Sequence, residues 1–486
     1  MGREGPDGNV LARFAKDTGF YTLTRFVPAA FGLLGLVLFT RLFDAAAYGR
    51  YSLAIVFVTV SATAAFGWLE QAVLRFESDS EPIVPTVLTV VLLVGVGIAV
   101  VGAIGAVWGT PRLGAFRPFY LAAVVAVVGT GSFRVCRAIF QARLESGRVT
   151  LYTATRALLK LGTGLAISVL LLESIAGWLW GAAIGSVVGV AAMVARLDAQ
   201  VGEFDRDTFR KLARYGVPMI GWLFGLTLLT FVDRVLIELL AGTAAVGIYS
   251  SNYALVQTGL PLVLSPLVQA AHPAIMTEWS GDNHEAMRGL IAEYSRYFLL
   301  LGVGATVFAG VISRPLSALV LGRAFHPGYV IVPIIAPALF LWNFAMLGHK
   351  GLELAESTGT MTLGIAVAVL VNVAGNYLLI PPYGYVGAAV ATLSSSTVYA
   401  GFAFVTSFRT VRWTVSKRAI AHVAVAGGVM AGIGWAGYLV DATPLVAPLL
   451  AGVVGFGAYA GVLVAFGEIE GDELRKAVGE IGGYDW

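Results

Sequence analysis

Arg156 and Lys160 are four residues apart in a run of apolar side chains, so a helix puts both cations on one face. Counting about 1.5 Å per residue from Val149, Arg156 lies roughly 10 Å into a membrane and Lys160 near mid-depth. Arg25 reaches a similar depth in an earlier apolar run, on a face shared with Thr18, Tyr21, Thr22 and Pro28. Charge inside hydrocarbon is costly, so each of these residues is a functional candidate. Three cations on one side of the membrane would suit an anionic substrate entering from the cytoplasm, such as a phosphate or pyrophosphate. The plainer reading is that the long side chains reach back to the headgroups. Lys160, the deepest, fits that reading least.

A second set reads as gate or ion-coupling residues: Glu70, Asp233, Arg234, Gln71 and Gln269. Adjacent helical residues diverge, so Arg234 is expected to pair with Glu238, four positions on, and not with Asp233. A local ion pair that fixes a helix end and a substrate contact are both open for this group. Glu70 reads as a counter-charge to the cations, a proton carrier or a simple interface residue. Interhelical hydrogen bonding explains the amides Asn252, Gln257, Asn343, Asn372 and Asn376 without function. Gly181, Gly185 and Gly189 form a stripe of small residues for close helix packing. A single cysteine, Cys136, leaves no disulfide and no thiolate metal site. There is no HExxH and no phosphate loop, so no catalytic residue, metal or cofactor is expected and no ATPase is built in.

The elements that must hold these residues follow from composition. The chain has 486 residues, 58% hydrophobic and 13% charged, where ordinary chains carry about 25% charge. Its apolar runs are near the length that crosses a bilayer core of about 30 Å. The expected fold is an all-α polytopic membrane protein of about 14 transmembrane helices. The polar stretch Met1 to Asp17 does not read as a cleaved signal peptide. With the N-terminus inside, 22 Lys and Arg fall on the cytoplasmic side and 6 outside, which leaves Arg25, Arg156, Lys160 and Arg234 within spans. Both termini are then cytoplasmic. The net charge of +3 gives no sign of a nucleic-acid partner.

Leu42 to Ser52 aligns without a gap on Leu240 to Ser250, 198 residues later, with six of eleven positions identical. The register carries on to Gln71 and Gln269. Each half has an even number of spans, so both enter the membrane the same way and the repeat is parallel. Residues 1–200 form an N-lobe of helices 1–6, residues 201–410 a C-lobe of helices 7–12, and residues 411–486 a helical hairpin with a cytoplasmic tail. Two similar halves rocking about a central cavity give alternating access.

Three stretches resemble the polysaccharide-export and lipid-linked-oligosaccharide flippases of the MATE-like MOP superfamily. They are Thr40 to Tyr51, then Asp233 to Ile237 with Gly242 and Val246 to Ser250, and Leu378 to Thr392 with its Pro381-Pro382-Tyr383-Gly384 and Gly387-Ala388-Ala389. Asp44-Ala45-Ala46 stands where the family has a Gly-Pro turn. The resemblance implies two six-helix lobes around a cavity. It also implies a polyprenyl carrier linked through phosphate or pyrophosphate to a glycan, moved from the cytoplasmic to the outer leaflet of the cell membrane. Cations in the first-lobe cavity, with Arg25 similar in placement, would meet the headgroup. Membrane lipids, and glycosyltransferases or a polymerase of the same pathway, are the implied partners. Two other functions were open on the residues: a cation-coupled multidrug antiporter, and a non-transporting scaffold for glycan assembly. Basic deep charges count against the first, and buried charge as such counts against the second.

Overall fold

In lipid the backbone of a long apolar run is satisfied only as helix or closed barrel. The computed structural model describes residues 26–78, 82–109, 113–197, 203–281, 283–354, 357–411, 415–440 and 445–469, and among them there is no strand. Eleven helices of the described residues are long and apolar enough to cross a membrane. A twelfth, shorter apolar helix is α1 (Phe26–Leu42). The outward side of α3 (Val84–Trp108) exposes Leu93, Val101, Val107 and Trp108 by 61–79%. Apolar surface of that extent belongs against lipid tails. The protein is an all-helical, multi-pass membrane protein.

The chain forms two compact units. One runs to Ser251 and adds Asn376–Tyr385; the other takes Asn252–Gly375 and the chain from Val386. In the first unit, α2 (Ala45–Phe76), α3, α4 (Tyr120–Ala142), α6 (Ala176–Val194) and α7 (Arg206–Gly216) share a core. Phe66, Leu69, Val87, Phe133, Phe140, Met193 and Leu212 are its buried members. In chain order α5 (Ser146–Ala166) follows α4, is extended by a wider turn over Ile167–Leu171, and packs on α6. The small-residue stripe seats α6 on α5. A Cβ at Gly181 would fall on the Lys160 carbonyl, and one at Gly185 would lie 2.8 Å from the Arg156 carbonyl oxygen. These glycines therefore set the depth at which the two cations are held. Gly185→Leu is expected to cost about 1–3 kcal/mol by overpacking. It would be read as a lower thermal midpoint in detergent, with the exposed Val188→Leu on the same helix unchanged.

Residues of the internal repeat meet each other within this unit. Ser52 Oγ donates to Ser250 Oγ at 2.7 Å. Gly49 abuts the Thr243 carbonyl, and Gly247 abuts the Ala45 carbonyl. Ser52 meets its own copy and the two glycine contacts are each other's copies, so α2 and the start of α9 (Thr243–Ser280) cross about a local twofold. The turns entering the two helices differ. Asp44 caps α2, its Oδ1 accepting from the Ala47 amide at 2.7 Å. The matching Gly242, at φ 86°, ends α8 (Ile220–Ala241) in a backbone shape open to glycine. The loss of the Gly-Pro turn at the first copy is thus made good by a side-chain cap.

The second unit holds α10 (His284–Val311), the short α11 (Ser313–Val320), α12 (Val332–Leu354), and most of α13 (Thr358–Tyr383) and α14 (Tyr385–Thr410). It also holds α15 (Lys417–Gly437) and α16 (Val446–Ala465). Asn252 bridges the Phe325 carbonyl (2.9 Å) and the Ser317 hydroxyl (3.0 Å), as an interhelical amide should. Just past α16, Glu468 accepts from Arg296 Nε (2.7 Å) and lies 2.8 Å from His422 Nδ1. Burial pushes this carboxyl up, but the hydrogen bonds from Arg296 and His422 outweigh it and hold it below its ordinary range. The contact therefore contributes at neutral pH and is lost as pH falls through that depressed value.

Candidate anion-binding site

In the first unit, α1, α5 and α6 enclose a cavity of about 230 Å³. Its walls include Pro28, Phe31, Arg156, Lys160 and Trp178. Arg156 and Lys160 do share a face, and both are half-buried against the cavity. Arg156 is fixed from three sides. Its Nε donates to Ser186 Oγ at 2.9 Å, its Nη2 to Thr130 Oγ1 at 3.3 Å, and its Cζ sits 4.6 Å from the Phe133 ring centroid. Ser186 and Phe133 come from α6 and α4, so the close seating of α6 aims the guanidinium.

Lys160 Nζ lies 5.2 Å from the centroid of the Trp178 ring. Trp178 is itself held in an aromatic stack, with Phe39 at 4.1 Å and Tyr51 at 4.4 Å, both nearly parallel. A cation beside an aromatic face keeps part of the stabilisation that burial removes. Among the described residues no carboxylate pairs with Arg156 or Lys160. Two positive charges thus face a cavity in an apolar surround, with no carboxylate partner among the described residues, an arrangement that costs free energy until an anion is present.

A neighbouring cluster enlarges the positive field. Glu70 on α2 takes Arg134 at 2.5 Å and Arg137 at 3.5 Å, and Arg134 Nη1 donates to Thr63 Oγ1 at 2.9 Å. One acid faces two cations, and Arg137 Nε is buried without a partner. Both guanidinium groups lie within electrostatic reach of Arg156. Arg134 and Arg137 correct the expectation that only four cations lie within spans. They sit on α4, inside the apolar helix that runs to Ala142, not in the loop after it. Three-residue spacing in Phe133-Arg134-Val135-Cys136-Arg137 was the available signal, since it places both cations on one helical face.

Glu70 is thus a counter-charge to arginines of α4. Gln71 is half-buried on α2 and is not among the residues lining the cavity. Arg25 and the side chain of Gln269 lie outside the described residues. Asp233 and Arg234 form a separate buried group, and the expectation that they do not pair is overturned. Arg234 folds back along α8 to donate from Nη1 to the Thr230 carbonyl at 2.6 Å, which brings that nitrogen 3.2 Å from Asp233 Oδ1. The other Asp233 oxygen accepts from the Tyr249 hydroxyl. Glu238 accepts from Thr243 Oγ1 at 2.7 Å, across the turn to α9. Among the described residues there is no group of His, Cys, Asp and Glu that could hold a metal ion.

A family model described as polysaccharide biosynthesis protein matches residues 14–278, more than half of the chain. The chain belongs to the polysaccharide biosynthesis protein family. All of the cationic cluster of this family member falls in the matched region. The chain is 22% identical over 252 residues to the probable low-salt glycan biosynthesis flippase Agl15 of Haloferax volcanii. That alignment covers 51% of this chain and 52% of Agl15, so it spans about half the length of that relative. Its fold is similar to the lipid II flippase MurJ in an inward closed conformation, with TM-score 0.72 and 13% identity over 91% of this chain and 98% of that one. It is also similar to an inward-facing multidrug resistance MATE family transporter of the MOP superfamily, at TM-score 0.64 and 12% identity over 80% and 94% of the two chains. A MOP superfamily transporter from Pyrococcus furiosus, noted for a binding pocket of reverse polarity, matches at TM-score 0.59 and 12% identity over 82% and 95%. The fold of this family member is accordingly that of MurJ and the MATE transporters.

Proposed function

We propose that this protein is a flippase for lipid-linked oligosaccharide. It moves a glycan joined to a polyprenyl carrier through phosphate or pyrophosphate from the cytoplasmic to the outer leaflet of the cell membrane, for polysaccharide or glycan export. The observation that carries this reading is the pair Arg156 and Lys160, facing a cavity with no carboxylate partner among the described residues. A phosphate supplies the missing charge, and guanidinium and ammonium groups hold it by short, charge-assisted hydrogen bonds. Arg25, three residues before the wall residue Pro28, is assigned to the same set.

The names of the relatives agree: Agl15 is a probable glycan biosynthesis flippase and MurJ a lipid II flippase. They are flippases and transporters, not enzymes, and the carrier here keeps all its bonds. The Lys and Arg bias supports cytoplasmic termini. Residues 1–200 and 201–410 act as lobes that open by turns, and the hairpin within 411–486 serves the lipid side. Asp233, Arg234, Glu70, Gln71 and Gln269 are assigned to gating or ion coupling. Membrane lipids, and glycosyltransferases or a polymerase of the same pathway, are the partners. A drug antiporter would need acid at the cavity to hold a cation, and the described wall residues include none.

The leaflet distribution of lipid-linked glycan, measured in cells with and without this protein, tests the reading. Glycan-charged carrier is expected to accumulate on the cytoplasmic leaflet when the protein is missing. An unchanged distribution would refute the proposal and make ion-coupled drug efflux the next assay.

A further inference from the structure

His349 is buried in the second unit, 2% exposed, on α12. Its Nδ1 lies 2.9 Å from the hydroxyl of Tyr399 on α14, a residue 1% exposed. Its Nε2 lies 3.8 Å from Glu353 Oε1, one turn further along α12. The other Glu353 oxygen takes Lys350 Nζ at 2.5 Å, and the Glu353 side chain is 32% exposed. A run of titratable groups thus leads from a partly exposed carboxylate, through an imidazole, to a buried phenol.

Among the described residues, aromatic and small side chains pack around this run. Trp342 stacks on Tyr399 at 4.7 Å. On the α10 side, Phe298 packs against Phe340 and Phe344. From α14, Phe404 and Ser407 close on Gly348 and Gly351. Among the described residues, titratable groups that face His349 include Tyr399 from α14 and, on its own helix, Lys350 and Glu353. A histidine kept only for packing needs one fixed partner. Here the second ring nitrogen is aimed at a carboxylate that reaches solvent, at ion-pair and not hydrogen-bond distance. Carboxylate–histidine chains are the form that proton relays take within membranes.

We propose that Glu353, His349 and Tyr399 form a proton-binding relay in which His349 holds the proton, and that its occupancy makes the transport cycle depend on pH. In the tautomer whose Nδ1–H donates to Tyr399 Oη, the Nε2 lone pair faces Glu353 and can take a proton. A proton taken from water by the Glu353 carboxylate passes to Nε2. The product is an imidazolium beside the regenerated carboxylate, and the reverse transfer returns the proton to water. Tyr399 is a positioning residue: it fixes the ring and its tautomer. The link to transport rests on the flippase reading; the proton site does not.

The test uses the full chain, labelled with ¹⁵N-histidine, in detergent and in proteoliposomes. One ring signal, assigned by its loss in His349→Gln, is expected to pass from neutral imidazole to imidazolium as pH falls. Glu353→Gln is expected to lower its midpoint by about one pH unit, because the imidazolium loses its counter-charge. A His349 signal that does not titrate between about pH 5 and 9, in protein that stays folded, overturns the proton site. In proteoliposomes, translocation of lipid-linked glycan by the unaltered chain should change about tenfold across the His349 midpoint. The His349→Gln rate should stay flat. An unchanged pH profile in His349→Gln or Glu353→Gln overturns the link to transport. If His349 titrates but no glycan carrier moves at any pH, the flippase reading fails and the proton site stands.

Discussion

Lys160→Glu is expected to abolish translocation of lipid-linked glycan, Lys160→Ala to lower it about 10- to 100-fold, and Lys160→Arg to keep most of it. The middle figure follows from losing one charge-assisted hydrogen bond of about 1.5–3 kcal/mol. Reversal adds repulsion between the carboxylate and the bound phosphate in a surround that screens poorly. These changes should separate activity from stability. Lys160 has no carboxylate partner among the described residues, so removing it strands no buried counter-ion. Its charge also adds to repulsion from Arg156 on the same helix face. The thermal midpoint of Lys160→Ala in detergent should therefore hold or rise while transport falls. A variant that transports normally would remove Lys160 from the substrate path.

Glu70→Ala is expected to act the other way, through stability. Its side chain is 8% exposed, with two arginines on one carboxylate. Removing the shared acid leaves Arg134 and Arg137, 24% and 30% exposed, close together without it. Breaking a fully buried ion pair from one side costs about 3–5 kcal/mol, and the cost here approaches that limit only in part. The loss would appear as a drop in thermal midpoint and in folded yield. Adding Arg134→Met to Glu70→Ala should recover part of it, since one of the stranded charges goes. A Glu70→Ala protein as stable as the parent would show that the arginines find another counter-charge, and the account of this cluster would fall.

Much of this was legible in the sequence, for physical reasons that also mark where it stopped. Membrane-length apolar runs leave the backbone no option but helix, so the all-helical fold could be read directly. The i and i+4 spacing put Arg156 and Lys160 on one face, and the structure places them on one cavity. The count of cations on the cytoplasmic side takes in Arg134 and Arg137, because they stand near the end of an apolar run. Glu70, sixty-four residues earlier, is what lets α4 carry them further. No local pattern reveals such a partner. Asp233 and Arg234 were expected to diverge, as neighbouring Cβ atoms do. A long guanidinium that turns back to Thr230 defeats that rule. Trp178 is not legible locally, because its stacking partners Phe39 and Tyr51 come from α1 and α2.

The crossing of α2 and α9 carries a historical meaning. Ser52 meets Ser250, its own copy 198 residues on, and Gly49 and Gly247 exchange the same carbonyl contact. A surface that recognises itself is what joins two identical chains. An ancestor of half the length, bearing this segment once, would have found the same fit in a second molecule. A duplication would tie two such molecules into one chain and let their sequences drift. Drift is free where the copies face different neighbours, as at Asp44 and Gly242 or Arg50 and Ile248. At Gly49 and Gly247 it is not, because a bulky residue in either copy would collide with the other. The chain holds, within one unit, the kind of self-matching contact by which two identical molecules pair.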